Sequence, residues 1–173
     1  MTTINLSNLY KIDAEDLVYF VAKHLLKQNK KSILNIGDNN YESYAYRASD
    51  GKSKCAVGSI ISDEEYSKEM EGNSPSTVYD IFFEKFYKEK RNCVNWREKI
   101  AEAENLNIHS SNDNDLIDEY EHKFNDNMCY LEQLRCTHDN YNPEHWKSKL
   151  INLAYAFSDD LAERIETIEE IID

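Results

Sequence analysis

The chain has 173 residues, 33 of them acidic against 20 Lys+Arg, for a formal net charge of -13. That length fits one domain able to bury a core without metal or disulfide staples, and 40% hydrophobic residues with 12% aromatic exclude wholesale disorder. A surplus of carboxylates repels phosphates, which excludes nucleic-acid binding by counterion release as a general mode.

The opening residues, 1–16, lack the basic and apolar regions of a secretory signal. The longest apolar stretch, Leu17 to Ala22, is far short of the roughly 20 residues that span a bilayer. Four cysteines, Cys55, Cys93, Cys129 and Cys136, are scattered without a C-x-x-C pair. That spacing predicts reduced thiols and a cytoplasmic protein, with two disulfides as the alternative that parity leaves open.

Asp13 stands as an N-cap, with Ile12 and Leu17 placed as a hydrophobic staple. Leu17, Val18, Val21, Ala22 and Leu25 recur at helical spacing, predicting a helix over 13–28. Loop residues follow, with Gly37 among them. Residues 43–57 alternate about Asp50-Gly51 and predict a β-hairpin with a type I′ turn. Ser62 and Glu65 form a capping-box pattern, and Gly72 is a C-terminal stop, which predicts a helix over 63–71. Ser74-Pro75 opens another over 75–91, with Val78, Ile81, Phe82 and Phe86 inward. A weaker pattern through Trp96 and Ile100 predicts a helix over 93–105. After a polar loop, Leu116, Tyr120, Phe124, Met128, Leu131 and Leu134 predict one over 115–138. Asn142-Pro143 begins a helix over 143–157, and Ser158 caps a last one over 159–172, striped by Leu161, Ile165, Ile168 and Ile172. The expected product is a single domain, 1–173, of the α+β class and predominantly α: a helical bundle carrying one small β-hairpin or short antiparallel sheet.

The stretch from Arg47 to Gly58, running into Asp63 and Tyr66, packs a thiol, a glycine and charges into one transition. A helix after Ser62 would aim free N–H groups outward, beside the cations Arg47, Lys52 and Lys54. Arg47, Asp50, Lys54, Gly58, Asp63 and Tyr66 are therefore candidates to bind a small anionic ligand, and Cys55 is a candidate nucleophile. The plainer reading makes Cys55 a small buried hydrophobe and Gly58 a bend. His138 follows Leu131 and Leu134 on the inward side of its helix, with Asp139 beside it, so a catalytic Cys55-His138-Asp139 set can be drawn. The plainer reading there is a histidine favoured by the negative end of its helix. Cys129, Cys136, His138 and His145 lack metal-ligand spacing, and the acids of 113–119 lack the glycine of a calcium loop. Nucleotide and hydrolase signatures are missing too, so no metal or cofactor is expected.

Charge divides unevenly: residues 1–60 balance at +2 and residues 61–173 at -15. The acidity peaks at Asp159, Asp160, Glu163, Glu166, Glu169 and Glu170. Displayed on a helix, these carboxylates would attract a basic cleft and speed encounter with it; the alternative is a solvated face that aids solubility.

Two blocks carry a resemblance. Arg47, Asp50, Gly51, Cys55, Gly58, Asp63, Tyr66, Met70, Glu71 and Gly72, then His138, Asp139 and Trp146, fall on an R-x-x-D-G-x-K-C-A-x-G, I-x-D-x-x-Y-x-x-x-M-E-G and L-x-x-L-x-x-x-H-D pattern, with Ser53 as one extra residue before Lys54. In this the chain resembles small proteins of tailed phages and prophages, over 44–72 and 131–157. The resemblance implies a phage context and brings the Cys55 loop towards His138-Asp139, but supplies no reaction. The leading expectation is an acidic accessory protein that binds a host component, an inhibitor of host defence or nucleic-acid machinery, with a basic nucleic-acid-binding protein as its partner and no contact with nucleic acid or membrane. The alternative is a small-ligand or Cys-dependent enzyme site at Cys55 and His138-Asp139.

Overall fold

Six α-helices and one two-stranded sheet make up the described part of the chain, residues 3–36, 41–86 and 96–169 of a computed structural model. In order these are α1 (Ala14–Gln28), β1 (Ile33–Ile36), β2 (Tyr41–Tyr44), α2 (Pro75–Phe86), α3 (Trp96–Ala103), α4 (Ser111–Asn140), α5 (Pro143–Ala154) and α6 (Asp159–Glu166). Short 3-10 turns at Leu6–Lys11, Gly58–Ile60 and Lys68–Met70 join them. The fold is α+β and mainly α.

The 30-residue α4 is the spine. Its inward face repeats every seven residues through Ile117, Phe124, Leu131 and His138, with Tyr120, Asn127 and Leu134 between them. Two of those seven positions hold polar side chains, and each fastens a different piece of the N-terminal region. Nδ2 of the buried Asn127 donates to the carbonyls of Leu9 and Ile12, both at 2.8 Å. His138 holds the start of the sheet, as described below. Against the spine lie α1 and α5, and α6 packs on both of these, burying Leu17, Val21, Leu25, Trp146, Leu150, Leu161 and Ile165 in one core. Asp13 leads into α1, but its carboxylate pairs with Lys123 (3.1 Å) rather than with the helix N–H groups. Asn29 closes α1 at φ 48.

Several elements differ from the sequence expectation. The sheet pairs β1 with β2 antiparallel, Ile33 opposite Tyr44, so the strands lie mostly before the expected 43–57 hairpin. The Asp50-Gly51 segment does turn the chain, but its arms meet in one isolated bridge, Arg47 to Lys54. Gly51 has φ +68, while Asp50 stays out of the left-handed region, so the turn is not type I′. No helix forms over 63–71. The capping box is made, with Ser62 N–H donating to Glu65 (3.0 Å) and Glu65 N–H to Ser62 Oγ (3.3 Å). The Glu65 carboxylate, however, also accepts from the N–H groups of Leu6 (3.4 Å) and Ser7 (2.9 Å), which open the first 3-10 turn. Bound to a remote segment, that residue starts one turn and no more. The spine reaches further than 115–138 at both ends, α5 stops at Ala154 rather than 157, and α6 ends at Glu166. Gly37, the side chain of Phe86, Cys93, Glu170 and Ile172 lie outside the described residues, as does the chain between α2 and α3.

Candidate functional site

Most polar groups of the six proposed ligand-binding residues are engaged within the protein, by one another, by Lys30, Ser53 and Glu71, and by the backbone. Nε of Arg47 is buried with no hydrogen-bond partner among the described residues. The guanidinium of Arg47 pairs with Asp63 (2.5 Å), donates to the carbonyls of Ile61 and Ser62 (3.0 Å each) and lies 4.5 Å over the ring of Tyr66. Lys54 reaches the same Asp63 carboxylate at 3.6 Å. Arg47 holds that carboxyl below its usual range. Asp50 sits apart from this group, in its own turn. It accepts from the N–H groups of Lys52 (2.8 Å) and Ser53 (2.7 Å) and pairs with Lys30 (2.6 Å), contacts that lower its pKa. Gly58 is required by a close approach: a Cβ there would stand 1.9 Å from the carbonyl oxygen of Tyr46. Since the expected 63–71 helix is missing, so is the outward row of N–H groups that an anion would need.

Glu71 is the residue that organises this cluster, and it was not among the candidates. Its carboxylate accepts from the N–H groups of Tyr46 (2.8 Å) and Arg47 (3.1 Å) and from the hydroxyl of Tyr66 (2.9 Å). Burial, then this bond, pushes the Tyr66 hydroxyl up to about 12. The signal available in the sequence was its place directly before the turn glycine Gly72.

Cys55, His138 and Asp139 converge, though not as a catalytic set. The Cys55 thiol is 2% exposed, and burial pushes it up to about 12. Its sulfur accepts from Gly58 N–H (3.4 Å). Both ring nitrogens of the fully buried His138 are taken. Ser32 N–H donates to Nε2 (3.0 Å), so Nδ1 is the protonated nitrogen and donates to Asp139 Oδ1 (2.7 Å). The ring also stacks on Trp146, centroids 5.2 Å apart. No nitrogen is left to accept a proton from the thiol, and a thiol with so high a pKa is a poor nucleophile. Cys55 and Asp139 do line one cleft of about 240 Å³, with Tyr46, Gly72 and Arg135. Arg135 is itself held by Glu132 (2.9 Å) and Asp139 (3.2 Å). The Cys55 loop and the C-terminal end of α4 thus meet at this cleft, a joint between the loop and the spine.

The acidic helix has the opposite character. Ser158 caps α6 by accepting from Leu161 N–H (3.2 Å), and Leu161, Ala162 and Ile165 are buried. Asp159, Asp160, Glu163, Glu166 and Glu169 are all exposed. Among them, only Asp160 has an ion-pair partner among the described residues, Arg164 at 3.7 Å.

Cys55, Cys129 and Cys136 are free thiols. Among the described residues no group of three or more His, Cys, Asp or Glu side chains is placed to hold a metal ion, and no helix is long and apolar enough to cross a membrane. No family model, curated protein or solved structure matches the chain.

Proposed function

We propose that this is a non-enzymatic accessory protein of phage type that works in the host cytoplasm by docking a host protein, with α6 and the residues after it presenting negative charge to a basic surface. The partner that fits is a nucleic-acid-binding protein, whose phosphate-binding cleft offers the complementary charge, so docking there would inhibit host defence or nucleic-acid machinery. The observation that carries the reading is the split within α6: its apolar stripe is locked into the core while every carboxylate from Asp159 to Glu169 stays in solvent. Charges that contribute little to the fold are available to a partner. The competing Cys-dependent reading lacks a base for the thiol.

The test is affinity capture from bacterial host cells with the wild-type chain and with a Glu163→Gln, Glu166→Gln, Glu169→Gln, Glu170→Gln variant. A defined partner, released by raised salt and captured about tenfold less by the variant, is the expected result, since steering by exposed charge is screened within ~10 Å at 0.1 M salt. A partner held equally by both proteins, or capture insensitive to salt, overturns the reading.

A further inference from the structure

A half-open groove of about 940 Å³ runs along the outer face of α1, within the ~300–1,000 Å³ range of small-molecule pockets. Its floor is apolar: Ile4 and Ile12 from the N-terminal segment, and the half-buried rings of Tyr19 and Phe20 from α1. A hollow lined almost wholly by residues 1–60, which balance at +2, escapes the carboxylate surplus that gives the protein its net charge of -13. This one carries Lys11, Lys23, Lys27 and Arg164 against Asp13 and Asp16.

The rim charges are not equally available. Lys11 is paired with Glu104 (2.5 Å) and Asp13 with Lys123 (3.1 Å). Arg164 lies 4.3 Å over the Tyr19 ring and reaches Asp160 at 3.7 Å. Lys23 and Lys27, one helical turn apart on α1, have no carboxylate partner among the described residues. The ammonium of Lys23 stands 5.8 Å from the centroid of the same Tyr19 ring. Two unpaired cations therefore sit at one end of an apolar trough that is about 20 Å long, from the ~1.5 Å rise per residue between positions 13 and 27.

We infer that the groove binds an anionic amphiphile, with a carboxylate or phosphate head between Lys23 and Lys27 and an apolar chain running over Phe20 towards Ile12 and Ile4. The head supplies the charge those lysines lack, and the chain covers surface that water otherwise wets. A small anion without a chain has only two solvated ammonium groups to hold it, which is weak. The groove borders the acidic surface of α6 at Arg164, which reaches Asp160, but its head site at Lys23 and Lys27 uses none of the acidic carboxylates, so either proposal can hold without the other.

Dodecanoate, kept below its micellar concentration, is titrated into the full chain by calorimetry. Dodecyltrimethylammonium is the charge-reversed chain and acetate the chainless anion. The expected result is saturable binding of one dodecanoate, no comparable binding of the other two, and affinity reduced roughly tenfold in Lys23→Gln, Lys27→Gln, a pair of surface changes that leaves the core untouched. Absence of saturation, equal uptake of the cationic chain, or unchanged affinity in the variant overturns the inference. So does sedimentation with phosphatidylglycerol vesicles without uptake of the free monomer, which would assign the lysines to a lipid surface.

Discussion

Arg47 and Lys27 carry the same charge on flexible stems, and the fold treats them in opposite ways. Arg47 is bound to one carboxylate, two carbonyls and an aromatic ring, whereas Lys27 stands at a groove edge with no carboxylate partner among the described residues. The same contrast separates Glu71, with three donors, from Glu163 and Glu166, exposed on α6. The cause lies in the backbone. Between β2 and α2 the chain has little ladder or helix to satisfy its own N–H and C=O groups, so side chains must do it. Helices satisfy their own interiors and leave their side-chain charges for solvent or a ligand. Density of unusual residues in a sequence therefore marks where the backbone needs partners as readily as where chemistry occurs.

Breaking the loop should cost most. Gly58→Ala forces a Cβ against the Tyr46 carbonyl, and neither is the end of a flexible side chain. A loss of about 4 kcal/mol or more in urea unfolding, or failure to fold, is expected; a loss under about 1 kcal/mol would mean that the loop shifts freely and is not the tight joint described. Glu71→Ala comes next. It strips the acceptor from two backbone N–H groups and a hydroxyl, for about 2–3 kcal/mol. Glu71→Gln keeps an acceptor and should recover part of that.

How much of this the sequence made legible depends on whether a residue acts locally. The stripe Leu17, Val18, Val21, Ala22, Leu25 placed α1 because helical periodicity is a local property. Ser74-Pro75 and Asn142-Pro143 marked true starts for α2 and α5 for the same reason. Asn127 and His138 broke the apolar repeat of α4 because each serves a distant partner, Leu9 and Ile12 in one case and Ser32 in the other. Glu65 spoiled an otherwise sound capping box through bonds to residues 58 and 59 positions away. A short antiparallel sheet was expected but misplaced, because β1 and β2 have four residues each, too few for alternation to locate them against the turn signal of Asp50-Gly51. The acidic face of α6 was readable residue by residue. The α1 groove was not, since Arg164 and Ile4 join it only in three dimensions.

A pH titration sharpens the contrast at moderate effect. Cys55 and Tyr66 both have folded pKa values raised above their ordinary ones by burial. Each therefore contributes stability that is complete below its ordinary pKa and is lost as pH rises through the raised value. Stability should hold to about pH 9, then decline towards about pH 12. In Cys55→Ala the onset should move up to near pH 10, where Tyr46 and Tyr66, both raised by burial, take over. Thiol labelling of the native protein gives a second check: exposed Cys129 reacts and Cys55 does not. Rapid labelling of Cys55 near neutral pH would contradict the buried, protonated thiol. A smaller effect of opposite sign follows at acid pH. Asp50, held low first by Lys30, contributes stability above its ordinary pKa that fades as pH falls. Because the pair is partly exposed, Asp50→Asn should cost no more than about 1 kcal/mol at pH 7.

The least costly change to the fold should be the one with the clearest effect on association. Glu163→Gln, Glu166→Gln and Glu169→Gln alter side chains that make no ion pair among the described residues, so unfolding free energy should stay within about 0.5 kcal/mol of wild type. A marked loss would mean that these charges hold the C-terminal helix in place, and the division between committed and available charge would fail. Stability that is unchanged while salt-dependent capture falls is the pairing that a displayed surface requires, because only a partner then feels the missing charge.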